Sequence, residues 1–267
     1  MTFARIAGFR LVTQQPETLV AFYAALGFTV DPPHPIAAEE LAMLGIAGAG
    51  VRWPMRLGGA LVALDRYDMP GSPYPAEADA AAACFQHLAL VTDDAQAAWD
   101  RARLAGATPI GTGDPVTLPP SSGGVTAMKF RDPEGHPLEL LHFPDAAKKG
   151  WRGTGLLGID HSAIVVRDLA ASEAFYAAHG LTRGNASLNR GHEQAMLDGL
   201  DDPVADVVPM KPNTAPPHVE LLHYRRPVEP PAAPVAVNDV AATRIVWHGG
   251  DPALLRDPDG HLHQTGG

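Results

Sequence analysis

The feature that most constrains this chain of 267 residues is an internal repeat. The stretch FYAALGF, which begins at Phe22, returns as FYAAHGL at Phe175, and RDPEGH at Arg131 returns as RDPDGH at Arg256. The second pair lies closer together in sequence, because the last part of the second half is shorter. Repeats identify structurally equivalent positions. A His or Glu that one copy has and the other copy lacks therefore points to chemistry rather than to packing.

Hydrophobic periodicity divides the chain into four modules, each of which begins with a strand. In module one the strand Ile6 to Thr13 precedes a helix and three strand-like runs, ELAMLGI, VRWPMRL and ALVALDRY. Module three has the later runs ASLNRG, EQAMLDG, DVVPMK and HVELLHY. Module four follows a Pro-rich connector, Pro227 to Pro234, and is too short to hold a helix. The predicted halves are 1–145 (modules 1–75 and 80–145) and 157–267 (modules 157–226 and 227–267), with a linker at 146–156.

Strand–helix–three-strand units in tandem resemble the vicinal oxygen chelate superfamily. That superfamily includes glyoxalase I, extradiol dioxygenases, methylmalonyl-CoA epimerase and the bleomycin and fosfomycin resistance proteins. The resemblance covers nearly the whole chain and is weakest in module four. It is carried by FQHLALV with KFRDPEGHPLELLHF, and by DHSAIVV with HVELLHY. It implies an α+β fold of tandem βαβββ modules that form two cup-shaped mixed sheets, with the fourth module truncated.

In that superfamily, metal ligands come from the first and last strands of each module. Carried over by position, module two offers His87 and Glu139, and module three offers His161 and Glu220. The resemblance therefore implies that these four residues bind one metal ion. A single site needs modules two and three to share a cup.

Modules one and four have poor ligands at the matching positions, which are Gly8, Ala63, Arg244 and Gln264. Gly8 and His161 are separated by the same interval as the two FYAA copies, and Glu139 and Gln264 by the same interval as the two RDP motifs. The alignment of the four modules therefore agrees with two independent motifs. We expect modules one and four to form a second cup that lacks a metal site.

Two imidazoles and two carboxylates suit Ni²⁺, Zn²⁺, Co²⁺, Mn²⁺ or Fe²⁺. Such an ion polarises a carbonyl or enediolate oxygen, with Glu139 or Glu220 as the catalytic base. The first hypothesis is a metal-dependent, glyoxalase-like lyase, isomerase or epimerase that acts on a small oxygenated substrate. Two alternatives stay open. One is an Fe(II) extradiol-type dioxygenase, and the other is a non-catalytic protein that binds or sequesters a small molecule.

The substrate pocket is expected to differ from that of glyoxalase I. Glyoxalase I-like proteins bind glutathione through an Arg and an Asn, and the corresponding positions here are Val165 and Tyr224. Glutathione is therefore not the expected substrate. His218 and Tyr224 share the strand face of Glu220 and are candidate pocket residues. Other nearby histidines are interpreted as turn residues (His136 and His261) or as residues that face away from the cup (His142 and His223).

Composition narrows the possible partners and the cellular compartment. The formal net charge is −10 and no basic stripe is present, so nucleic acid is not an expected partner. The single cysteine, Cys84, fits a reducing compartment. The N-terminal stretch does not resemble a signal peptide, and no apolar run is long enough to span a membrane. We therefore expect a cytoplasmic monomer or homodimer whose partner is a small molecule.

Overall fold

The computed structural model describes residues 2–226, 228 and 234–267. Most of the predicted connector Pro227–Pro234 lies outside the described residues. Module one contains β1 (Ile6–Val12), α1 (Pro16–Leu26), β2 (Thr29–Val30), β3 (His34–Pro35), α2 (Ala38–Leu44), β4 (Gly50–Leu57) and β5 (Ala60–Tyr67). Module two contains β6 (Gln86–Thr92), α3 (Ala95–Leu104), β7 (Thr108–Pro109), β8 (Val116–Thr117), a 3₁₀ turn (Pro120–Ser122), β9 (Thr126–Arg131) and β10 (Pro137–His142).

The second half continues the pattern in module three and shortens it in module four. Module three contains β11 (Leu156–Val165), α4 (Leu169–Ala178), β12 (Thr182–Arg183), β13 (Ser187–Arg190), α5 (His192–Asp198), β14 (Val204–Lys211) and β15 (His218–Tyr224). Module four contains β16 (Arg244–Trp247), β17 (Ala253–Arg256) and β18 (Leu262–Thr265). Its described residues include no helix, as the sequence predicts.

The strands form two mixed sheets, and each sheet combines strands from both halves of the chain. Modules two and three form the inner sheet, in the order β12-β14-β15-β11-β6-β10-β9-β7, with β13 on β14 and β8 on β9. Modules one and four form the outer sheet, in the order β17-β18-β16-β1-β5-β4-β2, with β3 on β4. At the centre of each sheet the first strands of two modules pair antiparallel, β6 with β11 and β1 with β16. The predicted pairing of two with three and of one with four is confirmed.

Two segments that the sequence analysis interprets as strands, ELAMLGI and EQAMLDG, are instead the helices α2 and α5. Both have acidic residues in the first turn and end at a glycine, Gly45 or Gly199, whose backbone is left-handed. Acidic residues near the N-terminus and a left-handed glycine at the C-terminus favour a helix. These end signals outweigh the short apolar runs, which are ambiguous between helix and strand.

The two sheets share one hydrophobic core, because alternate residues of each strand point toward it. Leu88 and Leu90 on β6 and Val219 and Leu221 on β15 are buried there together with residues of α1 and α3. The residues that alternate with them, His87, Ala89 and Glu220, lie on the opposite face of the inner sheet. In the part of the chain that the structure describes, helices are too short or too polar to cross a membrane.

The two repeated sequence motifs bind each other across the sheets. Tyr23 of the first FYAA copy donates a hydrogen bond to Asp132 of the first RDP motif (3.0 Å). Tyr176 of the second copy donates to Asp257 of the second motif, also at 3.0 Å. His136 also contacts the Asp132 carboxylate, at 2.8 Å. The motifs therefore recur because they join outer-sheet and inner-sheet modules, and the predicted structural role of His136 is confirmed.

Candidate metal centre

His87, Glu139, His161 and Glu220 lie together at the centre of the inner sheet. Glu139 and His161 are both cross-strand neighbours of Ala89 on β6. In the same way, His87 and Glu220 are both neighbours of Ala163 on β11. The four side chains therefore surround two small alanines, in an arrangement that is close to two-fold symmetric.

The distances between donor atoms are those of ligands around one small cation. His87 Nε2 lies 3.1 Å from Glu139 Oε2, and His161 Nε2 lies 3.1 Å from Glu220 Oε2. His161 Nε2 is 3.9 Å from Glu139 Oε2. Metal–nitrogen bonds are about 2.0–2.1 Å long, so two donors at a right angle around one ion are roughly 3 Å apart. One donor atom from each of His87, Glu139 and His161 can be chosen so that all three lie within 4.8 Å of one another.

The Nε2 atoms of His87 and His161 approach carboxylates without forming hydrogen bonds to them. His87 Nδ1, His87 Nε2 and His161 Nε2 are buried and have no hydrogen-bond partner among the described residues. Buried polar atoms are almost always satisfied, so such atoms need an explanation. A cation bound by His87 Nε2, His161 Nε2 and the carboxylates satisfies both Nε2 atoms at once, so the residues fit a metal ion.

Lys129 makes the two glutamates unequal. It lies directly opposite Glu139 in the hairpin β9–β10, whereas Pro209 lies opposite Glu220 in β14–β15. Although burial opposes the effect, His87, Lys129 and His161 lower the pKa of Glu139 to about 2. Burial raises the pKa of Glu220, and the nearby Glu139 raises it further. Glu139 is therefore held as an anion, and Glu220 is the more easily protonated carboxylate.

The two histidines are also unequal, because only His161 has a carboxylate behind it. Asp160 Oδ2 lies 2.9 Å from His161 Nδ1. An acceptor at Nδ1 fixes the tautomer in which Nε2 is free to bind a metal. Burial lowers the pKa of His87 to about 4. For His161, Glu220 and Asp160 outweigh burial and raise the pKa to about 9.

A cavity of about 300 Å³ opens above the four side chains. Apolar residues line part of it, including Leu141 and Phe143. The loop after β8 reaches over the opening, where Ser122 Oγ donates a hydrogen bond to Asn189 Oδ1 on β13 (2.9 Å). The sequence analysis missed Asn189, which no motif marks. The cavity combines an apolar wall with a polar rim, as binding sites for small molecules usually do.

Asp198, at the end of α5, anchors one side of this cavity. Its carboxylate accepts hydrogen bonds from Lys129 (2.6 Å), Gln194 (2.7 Å) and Tyr224 (2.9 Å). No sequence motif marks Gln194 or Asp198, because the pattern of α5 predicts a strand there. Lys129 could have been found, since the tight DPEG turn fixes the hairpin register that places it opposite Glu139.

The other candidate residues fall partly inside and partly outside this cavity. Tyr224 lines the cavity, but its hydroxyl is bound to Asp198. The lining does not include His218, whose ring lies beside the His161 ring with centroids 5.4 Å apart. His142 lines a different cavity, and His223 pairs with Asp206. The predicted outward orientation of these last two is confirmed.

The equivalent place in the outer sheet contains a network of arginines. Asp65, which is fully buried, accepts two hydrogen bonds from Arg52 (2.7 and 2.8 Å) and one from Arg244. Arg52 also binds both oxygens of Glu40 on α2 (2.8 and 3.0 Å). Among the described residues, the Arg10 side chain hydrogen-bonds only to the backbone oxygen of its neighbour Phe9. Of the described residues here, none is a histidine–carboxylate set like the one in the inner sheet.

Strand register confirms the equivalence of the two sheets. Arg10 lies between Ala63 and Arg244, just as Ala163 lies between Glu220 and His87. A side chain at Gly8 is excluded, because its Cβ would lie 2.8 Å from the backbone oxygen of Leu61. A histidine cannot occupy this position without a shift of the backbone.

Comparison with known proteins gives the same architecture. Glyoxalase I from Zea mays is 14% identical, with 98% of this chain and 91% of that chain covered and a TM-score of 0.63. A putative dioxygenase from Bacillus subtilis is 11% identical, with 99% and 85% covered and a TM-score of 0.58. At such identities the likeness shows the fold. No curated protein matches the sequence.

A sequence profile of one family matches residues 4–140, which is about half of the chain. This range contains module one and nearly all of module two, with His87 and Glu139. The chain belongs to the glyoxalase/bleomycin resistance protein/dioxygenase superfamily.

Proposed function

We propose that this protein is a metal-dependent, glyoxalase-like lyase, isomerase or epimerase with one site, formed by His87, Glu139, His161 and Glu220. The observation that carries the proposal is the set of buried imidazole nitrogens that face carboxylates at 3.1 Å without hydrogen bonds. These four residues would hold a divalent ion, which would supply Lewis-acid polarisation of a carbonyl or enediolate oxygen of the substrate.

The protein's own groups have distinct roles in this proposal. Glu139, opposite the cationic Lys129, remains an anion and holds its position throughout the reaction. Glu220, opposite Pro209, has no cationic neighbour across the strand pair and takes up and returns a substrate proton. Proton transfer needs a base whose pKa lies closer to the working pH, and burial shifts Glu220 in that direction.

The substrate is a small oxygenated molecule. A cavity of about 300 Å³ is at the lower end of the usual range for ligand sites. The glutathione-binding Arg of glyoxalase I-like proteins is replaced by Val165, which is fully buried. Tyr224 stands at the position of the glutathione-binding Asn, and its hydroxyl already donates a hydrogen bond to Asp198. Both observations support a substrate other than a glutathione adduct.

Exchange of carbon-bound protons tests the assignment of the base. The metal-loaded protein is incubated in D₂O with small α-hydroxycarbonyl compounds, and exchange next to the carbonyl is followed by NMR. Glu220→Gln is expected to keep its metal and to slow exchange by about 10²–10⁴-fold, the usual contribution of a general base. Glu139→Gln is expected to lose metal. If Glu220→Gln exchanged at the wild-type rate, Glu220 would not be the base. Added glutathione should leave the wild-type rate unchanged.

Asp160→Asn tests whether the Asp160–His161 contact supports metal binding. The amide can still accept a hydrogen bond, but it can also present its NH₂ group, and its negative charge is gone. Loss of such a supporting partner typically weakens metal affinity about 10–100-fold. Asp206→Asn, whose carboxylate contacts His223 away from the cavity, is the matched control. Competition with a chromogenic chelator measures both affinities, and equal values would show that Asp160 has no such role.

One observation favours the dioxygenase alternative. The donor group His87, Glu139 and His161 is a set of two histidines and one carboxylate. This set is typical of non-haem Fe(II) oxygenases. Oxygen uptake by the Fe(II)-loaded protein with catechols separates the two functions, because proton-transfer enzymes consume no oxygen. Glu220 as a further ligand would reduce the open positions, which is why we place this function second.

A further inference from the structure

The arginine network of the outer sheet has one more positive charge than its acidic partners neutralise. The charged groups with the largest influence on Arg10 are Arg52, Asp65, Arg244 and Glu40. Both carboxylates are already paired, Glu40 with Arg52 and Asp65 with Arg52 and Arg244. Arg10 forms no ion pair with the described residues. One added negative charge would therefore balance the charge of the network.

Strand pairing brings the unpaired charge next to another cation. Arg10 on β1 lies directly opposite Arg244 on β16. Like charges at directly opposed positions destabilise a sheet. Nε of Arg10 and Nε of Arg244 are both buried without a hydrogen-bond partner among the described residues. Burial, together with Arg52 and Arg244, lowers the pKa of Arg10 to about 10.

In the described part of the chain Arg10 has no carboxylate partner, because the outer sheet has an alanine where the inner sheet has a glutamate. Its other cross-strand neighbour is Ala63 on β5. The inner-sheet counterpart of Ala63 is Glu220. The outer sheet thus has an arginine where the inner sheet has Ala163, and an alanine where the inner sheet has a carboxylate. The inner sheet has side chains suited to bind a cation, whereas the outer sheet has guanidinium groups suited to bind an anion.

We propose that the outer sheet binds a small monocarboxylate between Arg10 and Arg244, beside Ala63. A monoanion matches the single surplus charge. A planar carboxylate matches the paired N–H groups of guanidinium, which bind carboxylates with two parallel hydrogen bonds. Arg10 is partly exposed whereas Arg244 is fully buried, so a ligand from solvent meets Arg10 first. This site is separate from the proposed metal centre.

Thermal unfolding in sodium acetate tests this site. Acetate replaces a bulky sulfonate anion at constant ionic strength, so that only specific binding changes the melting temperature. Binding to the folded state alone raises the melting temperature in a saturable way. For a chain of this size, a rise of about 2–4 °C corresponds to each 1 kcal/mol of added stability. We expect a rise of that order in the wild type.

Variants locate the effect. Arg10→Gln removes the surplus charge, and we expect it to lose the acetate response. Arg66→Gln, at an exposed position of β5, should keep it. If Arg10→Gln does not fold, Arg10→Lys keeps the charge without the guanidinium fork and is expected to show a smaller rise. An absent rise, an equal rise in Arg10→Gln, or an equal rise with chloride would overturn the proposal. Acetate bound at the metal centre would leave the response of Arg10→Gln intact, so this test does not depend on the proposed function.

Discussion

His161→Ala is expected to abolish metal binding. His161 Nε2 lies near both carboxylates, at 3.1 Å from Glu220 and 3.9 Å from Glu139, so it links the two halves of the donor set. Its removal leaves only His87 as a nitrogen ligand and leaves Glu220 without its histidine neighbour. Metal content after dialysis, measured by plasma mass spectrometry, should fall from about one ion per chain to near zero.

His223→Ala is the matched control for this experiment. His223 lies on β15 with Glu220 and is partly buried, but it pairs with Asp206 away from the cavity. Its variant should retain the wild-type metal content. Circular dichroism should show that both variants are folded. Equal metal content in His161→Ala and wild type would contradict the proposed site.

Asp65→Asn is expected to have the largest effect on stability. Asp65 is fully buried and accepts charged hydrogen bonds from Arg52 and Arg244. Removal of one partner of a buried ion pair typically costs about 3–5 kcal/mol, because the other charge stays buried and uncompensated. Here Arg244 would lose its only carboxylate among the described residues. The midpoint of unfolding in urea should fall accordingly.

Asp31→Asn provides the comparison for an exposed ion pair. Asp31 pairs with Arg56 at 3.2 Å, with both side chains well exposed. Exposed pairs of this kind contribute about 0–1 kcal/mol. The change in unfolding free energy should therefore be several-fold smaller than for Asp65→Asn. A similar small loss in both variants would show that the arginine network does not stabilise the outer sheet.

The sequence predicted the architecture of the sheets because the repeat fixes which strands are equivalent. Once His87 and His161 were assigned to first strands, a single site required β6 and β11 to be neighbours, as they are. The intervals between the repeated motifs are sufficient to predict that β6 and β11 are neighbours, without knowledge of any contact between them. In the longer strands, hydrophobic alternation also predicts which residues share a face, whereas the short runs ELAMLGI and EQAMLDG are helices.

The sequence does not predict the contacts around the site, because these contacts join segments that share no motif. Asp198 binds Lys129 from the end of a helix that its short apolar run did not distinguish from a strand. The outer-sheet network depends on Glu40, which reaches Arg52 from the other misassigned helix. In both cases an error in one short element concealed a buried charge pair.

The number of metal ions per chain tests the central claim most directly. The purified protein is loaded with Zn²⁺ or Ni²⁺, freed of excess ion and measured for metal and protein together. The repeat and the two sheets predict one ion per chain, bound in the inner sheet and lost in His161→Ala. No bound ion would contradict the assignment of the inner-sheet residues. Two ions, or one ion that remains in His161→Ala, would contradict the claim that the two sheets differ in this way.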